Sequence, residues 1–351
     1  IGLEAFVASA RFIVDGKPQK PFTVSFPDVS PGDSTELGDL TARVREMAGS
    51  GSDVRLDISV VRRRQQTTVI CEQITLKADT KRIIADVRKK AVRGLKPGRK
   101  ALPEIKATFF RAPTDNDKSF GNWLAKDWTR NNIASPEISV LKEMTAENPS
   151  CPDRPMTVRE EKYSFKEGHI IVTTTVKPLT DGSYDVEQQY VCHGVLPELP
   201  RMGMQIILPR DFSKLEYYGR GPWDTFPDRW RSTRVGWWKS SVTDEYAHYP
   251  VPQDCGNHRE TSALTLSSAK GEAITVTASG EPFSFSALPF TAQEISSVRH
   301  DHDLPQSGHT VLCIDTAVLG IGNSSCGPGV LKRHSIDKSK THTLRLNIVV
   351  R

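Results

Sequence analysis

The sequence predicts an all-β protein: a small immunoglobulin-like sandwich over residues 1–77, then a large antiparallel sandwich over 78–351. Three observations carry this expectation. Short segments that alternate apolar and polar residues recur along the chain, as in Val54-Arg-Leu-Asp-Ile-Ser-Val60, and period two is the mark of a half-buried strand. Glycine and proline clusters separate those segments at turn-like intervals. No helix-period segment stands between successive strands, which excludes a (β/α)₈ barrel.

The elements follow in order. Phe6, Ala8, Ala10 and Phe12 alternate, and Asp15-Gly16 is a hairpin turn signal. Phe22, Val24 and Phe26 alternate again, Asp28-Val-Ser-Pro-Gly32 reads as a turn, and a Gly-Ser-Gly tract spans 49–51. Val54–Val60 and Val69–Leu76 close the first set, and short strands at this interval suggest the immunoglobulin-like sandwich. Residues 77–107 are read as a junction, with Thr80–Val92 expected as strand or irregular structure. Asp115-Asn-Asp117 has a turn composition, and Asn116 or Asp117 can cap a helix over Trp123–Ile133. Strands are then expected near 162–165, 170–176, 184–193, 202–208, 263–266, 274–278, 283–287, 311–317 and 344–350.

The chain has 351 residues, 37% apolar and 25% charged, with a net charge of +5. That suits a globular protein with two cores. No apolar run reaches about 18 residues, so no membrane-spanning helix is expected. Basic residues are dense at 62–64 and 88–100, but residues 80–100 hold no aromatic to stack on bases, so no nucleic-acid partner is expected. The six cysteines, at 71, 151, 192, 255, 313 and 326, have no zinc spacing and leave the redox compartment undecided. Residue 1 is Ile and the chain runs straight into a strand-like segment. The expectation is a piece of a longer protein, with any localisation signal upstream.

Residues Glu216–Glu260 organise the rest. Prolines at 222, 227, 250 and 252 forbid a long helix, and the density of Trp, Tyr and Phe argues against disorder. Strand ends joined by stiff loops remain, carrying Arg220, Asp224, Asp228, Arg229, Asn257, His258, Arg259 and Glu260. Such loops suit sugar or protein contact, or form structural salt bridges among themselves. Asp115 and Asp117 could bind a cation or act as an acid/base pair, but lack the further ligands and glycine of a calcium loop; capping is preferred. His300-Asp-His-Asp303 sets two His on one face of a strand without a third ligand, so no metal site is expected. Glycines at 320, 322, 327 and 329 bracket Asn323-Ser-Ser-Cys326 and let backbone approach a ligand or a domain closely. Cys326 has no adjacent base to activate it.

Three of these segments together carry a resemblance. Phe110-Arg-Ala-Pro-Thr-Asp-Asn-Asp117, then Tyr218-Gly-Arg-Gly-Pro222 with Pro227-Asp-Arg229, Pro252-Gln253 and Gly256-Asn-His-Arg259, then Leu319-Gly-Ile-Gly-Asn-Ser-Ser-Cys-Gly-Pro328 resemble, in order and spacing, the C-terminal domain of glycoside hydrolase family 2 β-galactosidases. The resemblance covers 109–351 well and 1–76 loosely. It implies a galactose-mutarotase-like supersandwich for the second domain. It implies a parent enzyme that hydrolyses terminal β-galactosides with retention, using two carboxylates on a (β/α)₈ barrel that this chain lacks. Catalytic residues, and the Mg and Na ions the family uses, would lie on that barrel; none is expected here. Asn323, Ser324, Ser325 and Cys326 would border the substrate. Arg111, Asp115, Asn116, Asp117, Arg220, Asp228, Arg229, Asn257, His258 and Arg259 would lie on motif loops at the domain or barrel interface. The position of Cys326 is a sugar-stacking tryptophan in well-studied members, so that stacking would be lost. The implied partners are the barrel-bearing remainder, a galactoside at the shared edge and further copies of the parent. The alternative is a free-standing sugar-binding or mutarotase-like module, for which His258 with Glu260 is the nearest acid/base pair.

Overall fold

The computed structural model describes residues 5–24, 34, 39–47, 51–95 and 100–351. The chain divides into two compact units, Ile1–Asp86 with Arg234–Gly236, and Val87–Thr233 with Trp237–Arg351.

In the first unit, β1 (Phe6–Val14), β2 (Lys17–Pro18), β3 (Phe22–Val24), β4 (Val54–Arg62) and β5 (Thr67–Lys77) form one antiparallel sheet, ordered β2-β1-β4-β5 with β3 also on β1. Asp15 and Gly16 both take positive φ, 51° and 77°, which is the hairpin turn their composition predicts. Ala10, Phe12, Val54 and Leu56 pack with Phe22, Val24, Leu76 and the helix α1 (Thr41–Met47) through Val44 and Met47. The predicted Asp28–Gly32 turn, Phe26, and residues 49 and 50 of the glycine tract lie outside the described residues.

The alternation in β4 is not simply apolar-in, polar-out. Arg55 and Asp57 are buried because each finds charge: Arg55 Nε lies 2.7 Å from Asp53, and Asp57 faces Arg11 and Arg234 at 3.6 and 3.5 Å. Thr80–Val92 is a helix, α2 (Lys81–Val92), and not the strand or irregular segment expected. Asp79 accepts the Lys81 amide at 3.3 Å and Thr80 accepts that of Ile84 at 2.9 Å. With helix-forming Lys, Arg and Ala between, and Ile83 buried, local propensity prevails.

The second unit is built from β6 (Lys106–Thr108), α3 (Asp115–Arg130), β7 (Glu137–Ala146), β8 (Met156–Ser164), β9 (Gly168–Pro178), β10 (Tyr184–Gly194), β11 (Arg201–Pro209), β12 (Phe212–Gly221), β13 (Arg234–Ser241, whose first three residues count with the first unit), β14 (His258–Thr261), β15 (Ala263–Ser268), β16 (Ala273–Ala278), β17 (Phe283–Leu288), α4 (Ala292–Ser297), β18 (His309–Val318) and β19 (His342–Val350). A nine-stranded sheet runs β13-β12-β15-β16-β19-β10-β9-β8-β7, and a five-stranded sheet runs β14-β17-β18-β11-β6. Every pairing recorded is antiparallel, and the predicted strands from 170 onward all appear. Alternate residues of β9, β10, β16 and β19 (Ile170, Val172, Val186, Tyr190, Ile274, Val276, Leu346, Ile348) are buried. Rings join the two sheets: Tyr217 meets Phe285 edge-on at 5.1 Å, and Phe109 meets Tyr163 at 5.2 Å. Such offset contacts add to the area they bury.

Within the five-stranded sheet, Arg201 of β11 donates to both carboxylate oxygens of Asp315 on β18, at 3.1 and 2.6 Å, and both side chains are almost wholly buried. Gly203 faces Asp315 in the register. A β-carbon there would overlap the Asp315 carboxylate and the Ile314 carbonyl, so the glycine makes room for the ion pair. The His300–Asp303 segment is a 3₁₀ turn over Asp301–Asp303 and not a strand. Its two imidazoles stack 5.4 Å apart, and Asp301 is held by His248 at 2.7 Å. Among the described residues no helix is long and apolar enough to cross a membrane, and the six cysteines are free.

Candidate functional site

The loop before α3, the β12–β13 loop and the loop after β18 meet at one place. Helix α3 begins eight residues earlier than predicted, and Thr114 is its N-cap, not Asn116 or Asp117. Thr114 Oγ1 accepts from the Asp117 amide at 3.3 Å while Asp117 Oδ2 accepts from the Thr114 amide at 2.8 Å. This is a capping box, a Thr-x-x-Asp pattern visible in the sequence. It fixes where the helix starts and thereby where Arg111, Asn116 and Asp117 point.

Arg111 and Asp117 have no exposed side-chain surface. The guanidinium donates to both Asp117 oxygens at 3.0 and 3.1 Å, and to the carbonyls of Leu319 and Gly320 at 3.1 and 3.2 Å. It also lies 5.6 Å from the Trp128 ring and 5.7 Å from Phe226. A residue on one loop thus holds the backbone of another. Asn116 repeats the device: Nδ2 donates to Gly322 O at 2.8 Å, and Oδ1 accepts the Ser325 amide at 2.9 Å and its hydroxyl at 2.6 Å. From the third loop, Asp228 accepts the amides of Ile321 and Gly322 at 3.0 and 2.8 Å. Gly320 is required here, since a β-carbon would fall 2.5 Å from the Asp228 carboxylate. The result is a rigid platform that exposes Asn323, Ser325 and Cys326, while Ser324 is buried.

The remaining predicted residues are not all gathered there. Asp115 accepts from the Gln253 carboxamide at 3.2 Å, and its amide donates to Gln253 Oε1 at 3.0 Å. With Asp117 committed to Arg111, the two carboxylates form no acid/base or cation pair. Arg229 binds Asp224 at 2.6 Å, and the Asn257 side chain donates to Thr225 O at 2.6 Å. The Arg259 amide donates to Thr225 Oγ1 at 2.9 Å, and burial lowers the pKa of its guanidinium. Arg220 binds Glu260 at 2.8 Å and stacks on Trp230. His258 points inward instead, with Nε2 2.5 Å from Glu245 and Nδ1 3.0 Å from both Tyr217 Oη and the Arg220 carbonyl. His258 and Glu260 therefore do not face one cleft as acid and base. Glu245 and Tyr217 went unrecognised in the sequence, and Gln253 was read only as part of the Pro252-Gln253 motif; only the tertiary structure brings them to His258 and Asp115. Among the described residues no three His, Cys, Asp or Glu side chains are placed to hold a metal.

The profile of the beta galactosidase small chain family matches residues 79–348. The chain belongs to this family. Among relatives of the small chain, a beta-galactosidase small subunit of Latilactobacillus sakei is 31% identical over 278 residues, covering 69% of this chain and 84% of that protein. A beta-galactosidase of Actinobacillus pleuropneumoniae is 28% identical over 233 residues, 66% of this chain. The matched part spans only 22% of that relative's length. Of solved structures, a galactose mutarotase related enzyme from Lactobacillus acidophilus aligns over 87% of this chain and 96% of its own at 8% identity, with a TM-score of 0.37.

Asp254 carries a pH dependence. Burial pushes the Asp254 carboxyl up to about 6, against the pull of Arg201 and Arg111, and Asp315 and Asp117 push the same way as burial. An unfolded Asp titrates near 3.9, so between about 4 and about 6 the folded chain holds more protons and its stability falls as pH rises. Asp254→Asn should therefore raise stability at pH 7.5 by about 3 kcal/mol and change it by under about 0.5 kcal/mol at pH 4. Urea midpoints at the two pH values check this.

Proposed function

We propose that this chain is the non-catalytic C-terminal part of a family 2 β-galactosidase that hydrolyses terminal β-D-galactosides with retention. Its second unit packs on a (β/α)₈ barrel that carries the two carboxylates of the reaction, with any Mg and Na ions beside them. The loop Asn323–Cys326 borders the galactoside at the shared edge, and the assembled enzyme is a homo-oligomer. Membership of the small-chain family supports this reading. The observation that carries it is the locking of loop 319–325 by Arg111 from the loop before α3, Asn116 from the first turn of α3 and Asp228 from the β12–β13 loop. Each of those bonds restrains backbone, and Asn323, Ser325 and Cys326 at its tip are exposed. A preorganised loop of this kind serves positioning at a site whose reacting groups lie elsewhere.

Alone, the purified chain should not hydrolyse a chromogenic aryl β-galactoside above the buffer rate. The protein that carries it together with the barrel should do so, and removing residues 319–329 should lower kcat/KM at least about tenfold. Turnover by the isolated chain that vanishes with the loop would place the chemistry in the sandwiches and overturn the proposal.

A further inference from the structure

Strand β14 carries one residue too many for its partner. His258 pairs with Phe285 and Thr261 with Phe283, three steps against two, which is a bulge. Glu260 takes a φ of 53° within it, a conformation uncommon outside glycine. His258 and Thr261 are both 0% exposed, so the bulge turns Arg259 and Glu260 together off the core face. Bulges re-aim side chains in this way beside functional sites. Glu260 is committed to Arg220 at 2.8 Å, and Arg220 lies 4.7 Å from the centre of the Trp230 ring. The backbone of Arg259 is tied to the β12–β13 loop through its amide bond to Thr225.

Arg111, Arg201 and Arg220 each hold a carboxylate, at 3.0, 2.6 and 2.8 Å. Arg259 does not. It is half-buried, and among the described residues its guanidinium makes no hydrogen bond or ion pair. The carboxylates whose charge reaches it are committed elsewhere: Glu260 to Arg220, and Asp228 to the amides of Ile321 and Gly322. Burial outweighs their pull and lowers the pKa of the guanidinium, and Arg220 acts in the same direction as burial. A desolvated cation without an acceptor is unfavourable, and a carboxylate brought to it offsets the desolvation.

We infer that Arg259 anchors the second unit on the barrel-bearing part of the enzyme by taking a carboxylate of that part. This rests on the function proposed above and names the chemistry of its contact. A guanidinium fork receives a carboxylate through two parallel N–H···O bonds. The surroundings fit a protein and not a small anion: Trp230 on Arg220 is 38% exposed, and Trp223 on the same loop 68%. Tryptophan and arginine together are the composition of interface hot spots, where apolar surface shuts water out around the charge. A small anion would leave those rings wet.

Three measurements test this. Phenylglyoxal, read by peptide mass spectrometry, should label Arg259 in the isolated chain and at least about tenfold more slowly in the assembled enzyme. In the assembled Arg259→Lys enzyme, a zero-length carbodiimide should couple the new amine to a carboxylate of the barrel-bearing part. Arg259→Met in the isolated chain should leave the urea midpoint unchanged or raise it, because the residue it removes is a desolvated cation without a bond. A structural role would lower that midpoint. Equal labelling rates in the two forms would overturn the inference. So would an assembled Arg259→Lys enzyme that gives no cross-link from position 259, or a lowered midpoint for Arg259→Met. Galactoside hydrolysis is not among these readouts. An assembled protein without that activity would overturn the proposed function, whereas an unprotected Arg259 overturns only its anchoring role.

Discussion

Replacing Arg111 with methionine should lower the unfolding free energy of the larger unit by about 3–5 kcal/mol, the cost of breaking a buried ion pair from one side. The guanidinium satisfies both oxygens of a fully buried carboxylate and two carbonyls of the loop after β18. Without it, Asp117 keeps only the amide and hydroxyl of Thr114, and the carbonyls of Leu319 and Gly320 lose their donor. Desolvated groups left without partners cost more than the pair contributed. Urea unfolding followed by tryptophan fluorescence measures the loss, with Trp128 beneath Arg111 as a reporter. Arg111→Met combined with Asp117→Asn should be milder than the single change, since it leaves no buried charge alone. A single-variant loss under 1 kcal/mol would mean that water replaces the guanidinium. Amide exchange at Ile321 and Gly322 should quicken even where the fold survives, because Arg111 and Asp228 clamp the same few residues from two sides.

Asp315→Ala should destabilise the five-stranded sheet by a similar amount, about 3–5 kcal/mol. The Arg201 side chain is 5% exposed and its carboxylate partner 0%. Removing the carboxylate leaves a cation whose remaining side-chain contact is Ser286 at 3.4 Å. Gly203→Ala tests the same place from the other strand: the added methyl overlaps the Asp315 carboxylate and the Ile314 carbonyl, and overpacking of this kind costs about 1–3 kcal/mol. Thermal and urea denaturation of both variants separate the effects. If Gly203→Ala were neutral, β11 and β18 could part locally without cost, and the ion pair would not be the rigid centre of that sheet. The two sites are linked through Asp254, whose carboxyl responds to Arg201 and Arg111 alike.

What the sequence determined by itself was the order of strands and the position of the site's loops. Alternation in Val54–Val60, Ile170–Val176 and Leu344–Val350 is a local property, because period two puts one set of side chains on one face whatever lies opposite. Asp15-Gly16 was legible because few residues tolerate positive φ. The motifs at 110–117, 218–229 and 319–328 stood out through their glycines, prolines and charges. The start of α3 could have been read from Thr114 and Asp117, a pattern three residues long. Helix α2 was misread because its apolar stripe is weak and capping and propensity decided the outcome.

Only the tertiary structure decided which charges are spent. Arg111 binds across a sequence gap of 208 residues to Leu319, Asp228 across 93 to Ile321, and His258 turns toward Glu245 and away from Glu260. No periodicity encodes such partners. They follow from strand pairing, which brings distant loops to the same end of a sandwich, and from the cost of burying a charge unpaired, which forces each carboxylate to take the cation within reach. The open edge of β7 belongs to the same class of fact. No strand was expected over its ten residues, and only the order of the sheet shows that, among the described residues, no strand pairs beyond it.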